Sequence, residues 1–220
     1  MLRSMPRIAF RLWLKDDPVG IETYVKWHLE PFDGLYDLIR AAGIERYTIW
    51  LDGTDLLLTR EGATPELGEK LDLENPVHKE WAATMTPLFQ PRVAESGATK
   101  PAQVFAFQPD GERGPAAGQM TYRAGVKPGA AHTGPVAQAW SAQASVVSEA
   151  LRASGVHRAW VWSEDGSLWA YVEAASSEGA EAALMADPAW GAFWGSIAPH
   201  LDGGSARDGW RRTREVFRCD

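Results

Sequence analysis

The chain repeats itself. Arg11 and Arg123 lie 112 positions apart, within Phe10-Arg11-Leu12-Trp13-Leu14-Lys15 and Tyr122-Arg123-Ala124-Gly125-Val126-Lys127. The same spacing carries Arg40-Ala41-Ala42-Gly43-Ile44 onto Arg152-Ala153-Ser154-Gly155-Val156, Trp50 onto Trp162, Leu56 onto Leu168, Glu61 onto Glu173 and Pro76 onto Pro188. It also carries Val104-Phe105 onto Val216-Phe217. One ungapped register over most of the chain is the mark of a tandem duplication, and it constrains the fold more than any single motif does. The Pro-, Gly- and Ala-rich stretch 109–118 falls between the copies and reads as a linker. The expected domains are therefore a first repeat over 1–108, the linker 109–118, and a second repeat over 119–220.

Within each copy the hydrophobic period changes in the same order. Residues 8–14 alternate as a strand does. Asp16-Asp17-Pro18 then gives a helix start, with Asp17 as N-cap and Pro18 at the first helical position. One long helix is expected to follow, burying Ile21, Val25, Leu35, Leu38 and Ile39 and stopping at Gly43. Residues 46–51 and 56–60, joined by Asp52-Gly53-Thr54, read as a hairpin. Helical stretches over 65–73 and 77–86 and a last strand over 103–107 complete the unit. The order β-α-β-β-α-β is the ferredoxin-like split βαβ, a sheet with helices on one face. Such a sheet leaves its other face to be buried, and a second copy can bury it. The expected fold is α+β, with two tandem ferredoxin-like repeats packed sheet to sheet as an intramolecular α+β barrel, a pseudo-dimer within one chain.

Composition narrows the function classes. Hydrophobic residues make up 45% of the 220 and include 11 tryptophans, enough to build a packed core. A net charge of −7 lacks the basic face that binds a phosphate backbone, so a nucleic-acid partner is not expected. The single cysteine, Cys219, excludes an internal disulfide framework and a cysteine-based metal site. The N-terminal stretch has no signal-peptide apolar core, and no segment approaches the ~20 apolar residues that span a bilayer. The expectation is a cytoplasmic protein without a membrane partner.

Chemistry concentrates on the first helix. Tyr24 and His28 are four residues apart and share a helical face, so both can reach one small ligand. Histidine titrates nearest neutral pH and suits general acid–base work. The same pair also fits a helix edge packed into the core. Arg11 and Arg123, at equivalent strand positions, read as salt-bridge residues. His78 precedes Trp81 by three residues and reads as a solvated helix position, while His132, His157 and His200 have no metal-ligand spacing, so no metal is expected.

Several segments together resemble the L-rhamnose mutarotase family: Arg7-Ile8-Ala9-Phe10, Tyr24-x-x-x-His28-x-x-Pro31-Phe32-x-x-Leu35, Ala42-Gly43-Ile44, Tyr47-Thr48-Ile49-Trp50-Leu51-Asp52, Asn75-Pro76 and Glu80-Trp81. The resemblance covers residues 7 to 107. It implies an isomerase of the aldose 1-epimerase type that interconverts the anomers of a small sugar without redox cofactor or metal. It further implies His28 as the acid/base, Tyr24 as a hydrogen-bonding or proton-relay partner and Trp81 as a platform for a sugar face. The family's paired tryptophans are Trp81-Ala82 here, which alters one pocket wall. In the second copy Tyr24 becomes Val136, His28 becomes Trp140 and Trp81 becomes Phe193, so its site is degenerate. Two alternatives remain: a cofactor-independent monooxygenase or lyase of the same superfamily, and a non-catalytic sugar-binding protein.

Overall fold

The computed structural model describes residues 7–62, 71–109, 118–131, 134–164, 166–202 and 210–219. The first repeat runs β1 (Arg7–Trp13), α1 (Pro18–Leu29), α2 (Leu35–Ala41), β2 (Arg46–Asp52), β3 (Asp55–Glu61), α3 (Pro76–Met85), a 3₁₀ turn (Thr86–Leu88), α4 (Pro91–Ser96) and β4 (Ala102–Phe107). The second runs β5 (Gly118–Gly125), α5 (Pro135–Ala142), α6 (Ala144–Ala153), β6 (Val156–Glu164), β7 (Ser167–Ala174), α7 (Ser177–Ala186), α8 (Pro188–Ile197), a 3₁₀ turn (Ala198–His200), β8 (Arg211–Arg212) and β9 (Arg214–Cys219). The mixed α+β chain with two antiparallel sheets agrees with the expected fold class.

A shift of 112 residues superposes these elements in fine detail. It carries α3 onto α8, the first 3₁₀ turn onto the second, and β4 onto β9 without any end offset. It also carries the isolated bridge Leu14–Phe89 onto Val126–Leu201, and the backbone bond from Lys15 N–H to the Leu88 carbonyl onto that from Lys127 N–H to the His200 carbonyl. Local sequence dictates much of this. Asp17 caps α1 by accepting from the Val19 and Gly20 N–H groups, with Pro18 at the first position. Asp187 does the same for α8, accepting from Ala189 and Trp190.

Three expectations need correction. The long helix of 18–42 is two helices, because Pro31 lacks an N–H for a continuing turn and Gly34 takes a left-handed φ of 80° before α2. The stretch 65–73 lies mostly outside the described residues, and Leu71 to Leu73 are not helical. The linker, most of which is likewise outside the described residues, ends earlier than expected, since Gly118 already pairs with Ala174 in β5.

The largest difference concerns the last strand of each repeat. β4 does not join the sheet of its own repeat; it pairs antiparallel with β6, and β9 pairs antiparallel with β2. The sheets are ordered β1-β3-β2-β9 and β4-β6-β7-β5-β8. Compact units accordingly differ from the repeats 1–108 and 119–220. One holds the described residues up to Lys100 together with those from Arg214 onward, and the other is Pro101–Thr213. Nothing in the alternation of apolar residues along β4 or β9 could say which sheet each would join, because strand periodicity specifies a face and not a partner.

In the first unit, Leu56, Leu58, Ile49 and Leu51 face a core formed with Tyr24, Val25, Leu35, Ile39, Met85 and Phe89, and β9 adds Val216, Phe217 and Cys219. The alternate residues Trp50 and Leu57, on the other face of this sheet, are also buried. That second face holds an ion pair, Arg7 Nη2 to Glu61 Oε2 at 2.6 Å, with both side chains out of solvent. The second unit closes the equivalent place with Arg158 and Glu173, also at 2.6 Å. Arg11 pairs with Asp55, as its strand position led one to expect, and the Arg123 guanidinium lies 5.5 Å from the Trp169 ring.

Candidate active site

Helix α1 delivers Tyr24 and His28 into the core of the first unit, where they are 1% and 5% exposed. Their rings lie 4.1 Å apart. His28 Nδ1 is 2.8 Å from the Tyr24 backbone carbonyl. A carbonyl oxygen can only accept, so Nδ1 carries the proton of the neutral ring and Nε2 keeps its lone pair. Burial lowers the His28 pKa to about 4, outweighing the carbonyl contact, which raises it. At neutral pH the ring is therefore an uncharged base presenting Nε2. Burial acts on Tyr24 in the opposite sense and holds its phenol well above its ordinary range, so its hydroxyl stays protonated.

The surroundings are aromatic and come from distant parts of the chain. Phe89 meets Tyr24 edge-on at 5.9 Å, and Phe217 meets His28 edge-on at 5.5 Å. Phe217 also stacks on Tyr36 at 5.7 Å and meets the Tyr47 ring at 5.5 Å. The Arg60 guanidinium lies 4.8 Å from the Phe10 ring and 5.4 Å from that of Tyr47. Burial raises the Tyr47 phenol, against the charge and hydrogen bond of Arg60, and Tyr47 in turn raises Tyr24. Tyr24, Tyr47 and Arg60 thus influence one another electrostatically, with His28 packed on the Tyr24 ring.

Trp81 stands on α3, half-buried against the first unit's core, with His78 as its ring neighbour at 6.0 Å. His78 is likewise half-buried rather than solvated. Sequence reasoning missed Tyr47 and Arg60 as site residues, and missed Phe217 altogether. Phe217 arrives on the exchanged strand, and no pattern in the sequence signals that exchange.

The second unit carries none of this chemistry. At a shift of 112, Tyr24, His28, Tyr36, Tyr47 and Arg60 become Val136, Trp140, Ser148, Ala159 and Val172. Trp140 is buried there against Phe193 at 4.5 Å and Phe105 at 5.0 Å, so packed rings occupy the place of the Tyr–His pair. Among the described residues there is no grouping of His, Cys, Asp and Glu able to hold a metal ion, and no helix long and apolar enough to cross a membrane.

Fold and site together define a duplicated α+β protein in which the first repeat keeps a buried Tyr–His pair that the second lacks. Residues 7–107 match the model of the L-rhamnose mutarotase family. Solved structures resemble the whole chain in fold. A provisionally assigned monooxygenase from Fusobacterium nucleatum subsp. nucleatum shares 8% identity at a TM-score of 0.54, with 100% of this chain and 94% of that one covered. An anthrone oxidase-like protein shares 14% at 0.52, covering 99% and 93%. A provisionally assigned monooxygenase from Lactobacillus acidophilus NCFM shares 10% at 0.54, covering 97% and 95%. No curated protein matches the chain.

Proposed function

We propose that the first unit interconverts the anomers of a small sugar, with His28 as base and Tyr24 as proton donor. One observation supports this above the others: in the repeat that matches the mutarotase family, the His28 ring is neutral, with Nδ1–H fixed on the Tyr24 carbonyl and Nε2 left to accept a proton. In the proposed reaction Nε2 takes the proton of the anomeric hydroxyl, and the bond from the anomeric carbon to the ring oxygen breaks with its electron pair going to that oxygen. The Tyr24 hydroxyl gives the ring oxygen a proton and is reprotonated from the imidazolium. Rotation about the bond next to the new carbonyl and the reverse sequence close the ring from the other face. Protons balance over the cycle, and no electrons leave the sugar. Trp81 offers an indole face to the apolar side of the ring.

The test is anomer exchange measured by saturation-transfer NMR over a panel of aldoses and deoxyaldoses. His28→Ala is expected to lower the rate on the preferred sugar by roughly 10²–10⁴-fold, the range for loss of a positioned acid–base group. A panel without any enzyme-dependent exchange, or exchange indifferent to the substitution, refutes the proposal. A second reading, oxidation or cleavage of a small aromatic compound, is favoured by the likeness in fold to the monooxygenase-type structures and by the ring-rich surroundings of His28. Turnover of a hydroxylated polycyclic aromatic in air, without sugar exchange, would establish it instead.

A further inference from the structure

The second unit contains a cavity of about 110 Å³ that the proposed chemistry does not use. It does not lie at the counterpart of the Tyr–His pair, since neither Val136 nor Trp140 lines it. Its wall is a run of aromatic rings in mutual contact. Trp190 meets Trp194 at 5.7 Å, Trp194 meets Trp210 at 5.1 Å, and Trp210 meets Tyr122 edge-on at 6.4 Å. The Nε1 atoms of the three tryptophans are buried with no hydrogen-bond partner, so the cavity meets ring carbon rather than indole donors.

One charged group lines this cavity. The half-buried Glu181 accepts a hydrogen bond of 2.8 Å from the Tyr122 hydroxyl, whose pKa is raised by burial and then by that carboxylate, so the phenol stays a donor. Among the described residues no cation forms an ion pair with Glu181. Arg212, which strand pairing sets opposite Tyr122, is exposed; its charge acts against the rise of the Tyr122 pKa, but it makes no ion pair with Glu181. A carboxylate held in no ion pair beside several electron-rich ring faces is the arrangement that attracts a desolvated organic cation.

We infer that this cavity is a binding site for a small organic cation carrying a methylated or quaternary ammonium headgroup, held by Tyr122, Trp190, Trp194 and Trp210 with Glu181 as counter-charge. Size agrees. An apolar cavity of ~150 Å³ takes benzene, and a trimethylammonium group is somewhat smaller. Met185, 44% exposed at the cavity's margin, leaves an apolar lip for the remainder of the ligand. This inference is independent of the reaction proposed for the first unit.

The test titrates the full-length protein with choline and with its uncharged isostere 3,3-dimethylbutan-1-ol at constant ionic strength, following the indole N–H resonances by ¹H–¹⁵N NMR. Choline is expected to shift the Trp190, Trp194 and Trp210 resonances saturably. The isostere should bind about tenfold more weakly, the loss of roughly one strong cation–π contribution. Glu181→Gln keeps an acceptor for the Tyr122 hydroxyl while removing the charge, and should weaken choline binding by a similar factor with the native indole pattern retained. Equal binding of the isostere, undiminished choline affinity in Glu181→Gln, a rhamnose titration that shifts the same indoles, or the absence of any saturable shift with choline, tetramethylammonium and ethanolammonium each overturns the inference.

Discussion

Truncating Phe217 to alanine should damage a site 189 positions away in sequence. Phe217 is 3% exposed and touches the rings of His28, Tyr36 and Tyr47. Removing a buried phenylalanine side chain costs about 3–5 kcal/mol, a large share of the ~5–15 kcal/mol by which domains are stable. The second consequence is electrostatic. Desolvation lowers His28 from 6.5 to about 4, which corresponds to roughly 3 kcal/mol of penalty on the charged ring. Opening a void beside the imidazole admits water and removes part of that penalty, so the His28 pKa should rise from about 4 toward its ordinary value. Urea unfolding measures the first effect, and NMR titration of the His28 ring protons measures the second. Phe217→Leu serves as a milder version should the alanine variant unfold. Phe105→Ala is the control, because Phe105 occupies the equivalent strand position and packs on Trp140 in the second unit. It should lose comparable stability and leave the His28 titration unchanged. A His28 pKa that stays near 4 in both Phe217 variants, or that moves as far in Phe105→Ala, refutes the reasoning.

Because the folded pKa of His28 lies below its unfolded value, the neutral ring is the form the fold prefers. Stability should be undiminished by this group above pH 6.5 and fall as pH drops toward 4, by up to roughly 3 kcal/mol relative to a His28→Gln variant, as checked by urea midpoints across that range. If Nε2 is the base, turnover should hold steady at neutral pH and decline as pH approaches 4, which a pH–rate profile on the preferred sugar will show. Glu61→Ala leaves the Arg7 guanidinium buried without its carboxylate and should cost about 3–5 kcal/mol by denaturant unfolding, whereas an exposed pair such as Lys79–Glu74 should yield less than about 1 kcal/mol to the same treatment. Cleavage at a protease site engineered into 109–118 should leave the two fragments co-eluting in native buffer and separating only in denaturant, because each fragment supplies a strand to the other's sheet.

The repeat, the strand order within each copy and the Asp17 N-cap were legible because each rests on local chemistry. Asp17-Pro18 starts a helix wherever it occurs, and the 112-residue spacing marks homologous positions regardless of packing. The break at Pro31 and Gly34 was also written in the sequence, yet the apolar period on either side of it read as continuous. Tyr24 and His28 could be paired from their spacing alone. Their protonation could not, since it depends on burial by residues such as Phe89 and Phe217 that meet them only after folding. Tyr47 and Arg60 alternate with core residues along neighbouring strands, and only the register of β2 against β3, which sets Tyr47 opposite Arg60, brings them together. The exchange of β4 and β9 left no trace, because two homologous strands of like pattern fit either sheet.

That exchange divides the second copy into parts with different obligations. Most of it can drift in chemistry, as the replacement of His28 by Trp140 and of Arg60 by Val172 records. Residues 214–219 cannot drift in the same way, because they form the edge of the first unit's sheet and Phe217 borders its base. A second copy without the Tyr–His pair thus still supplies a strand and a ring to the surroundings of its sibling's, so the two halves of the chain form one packed object even though only one of them carries that pair.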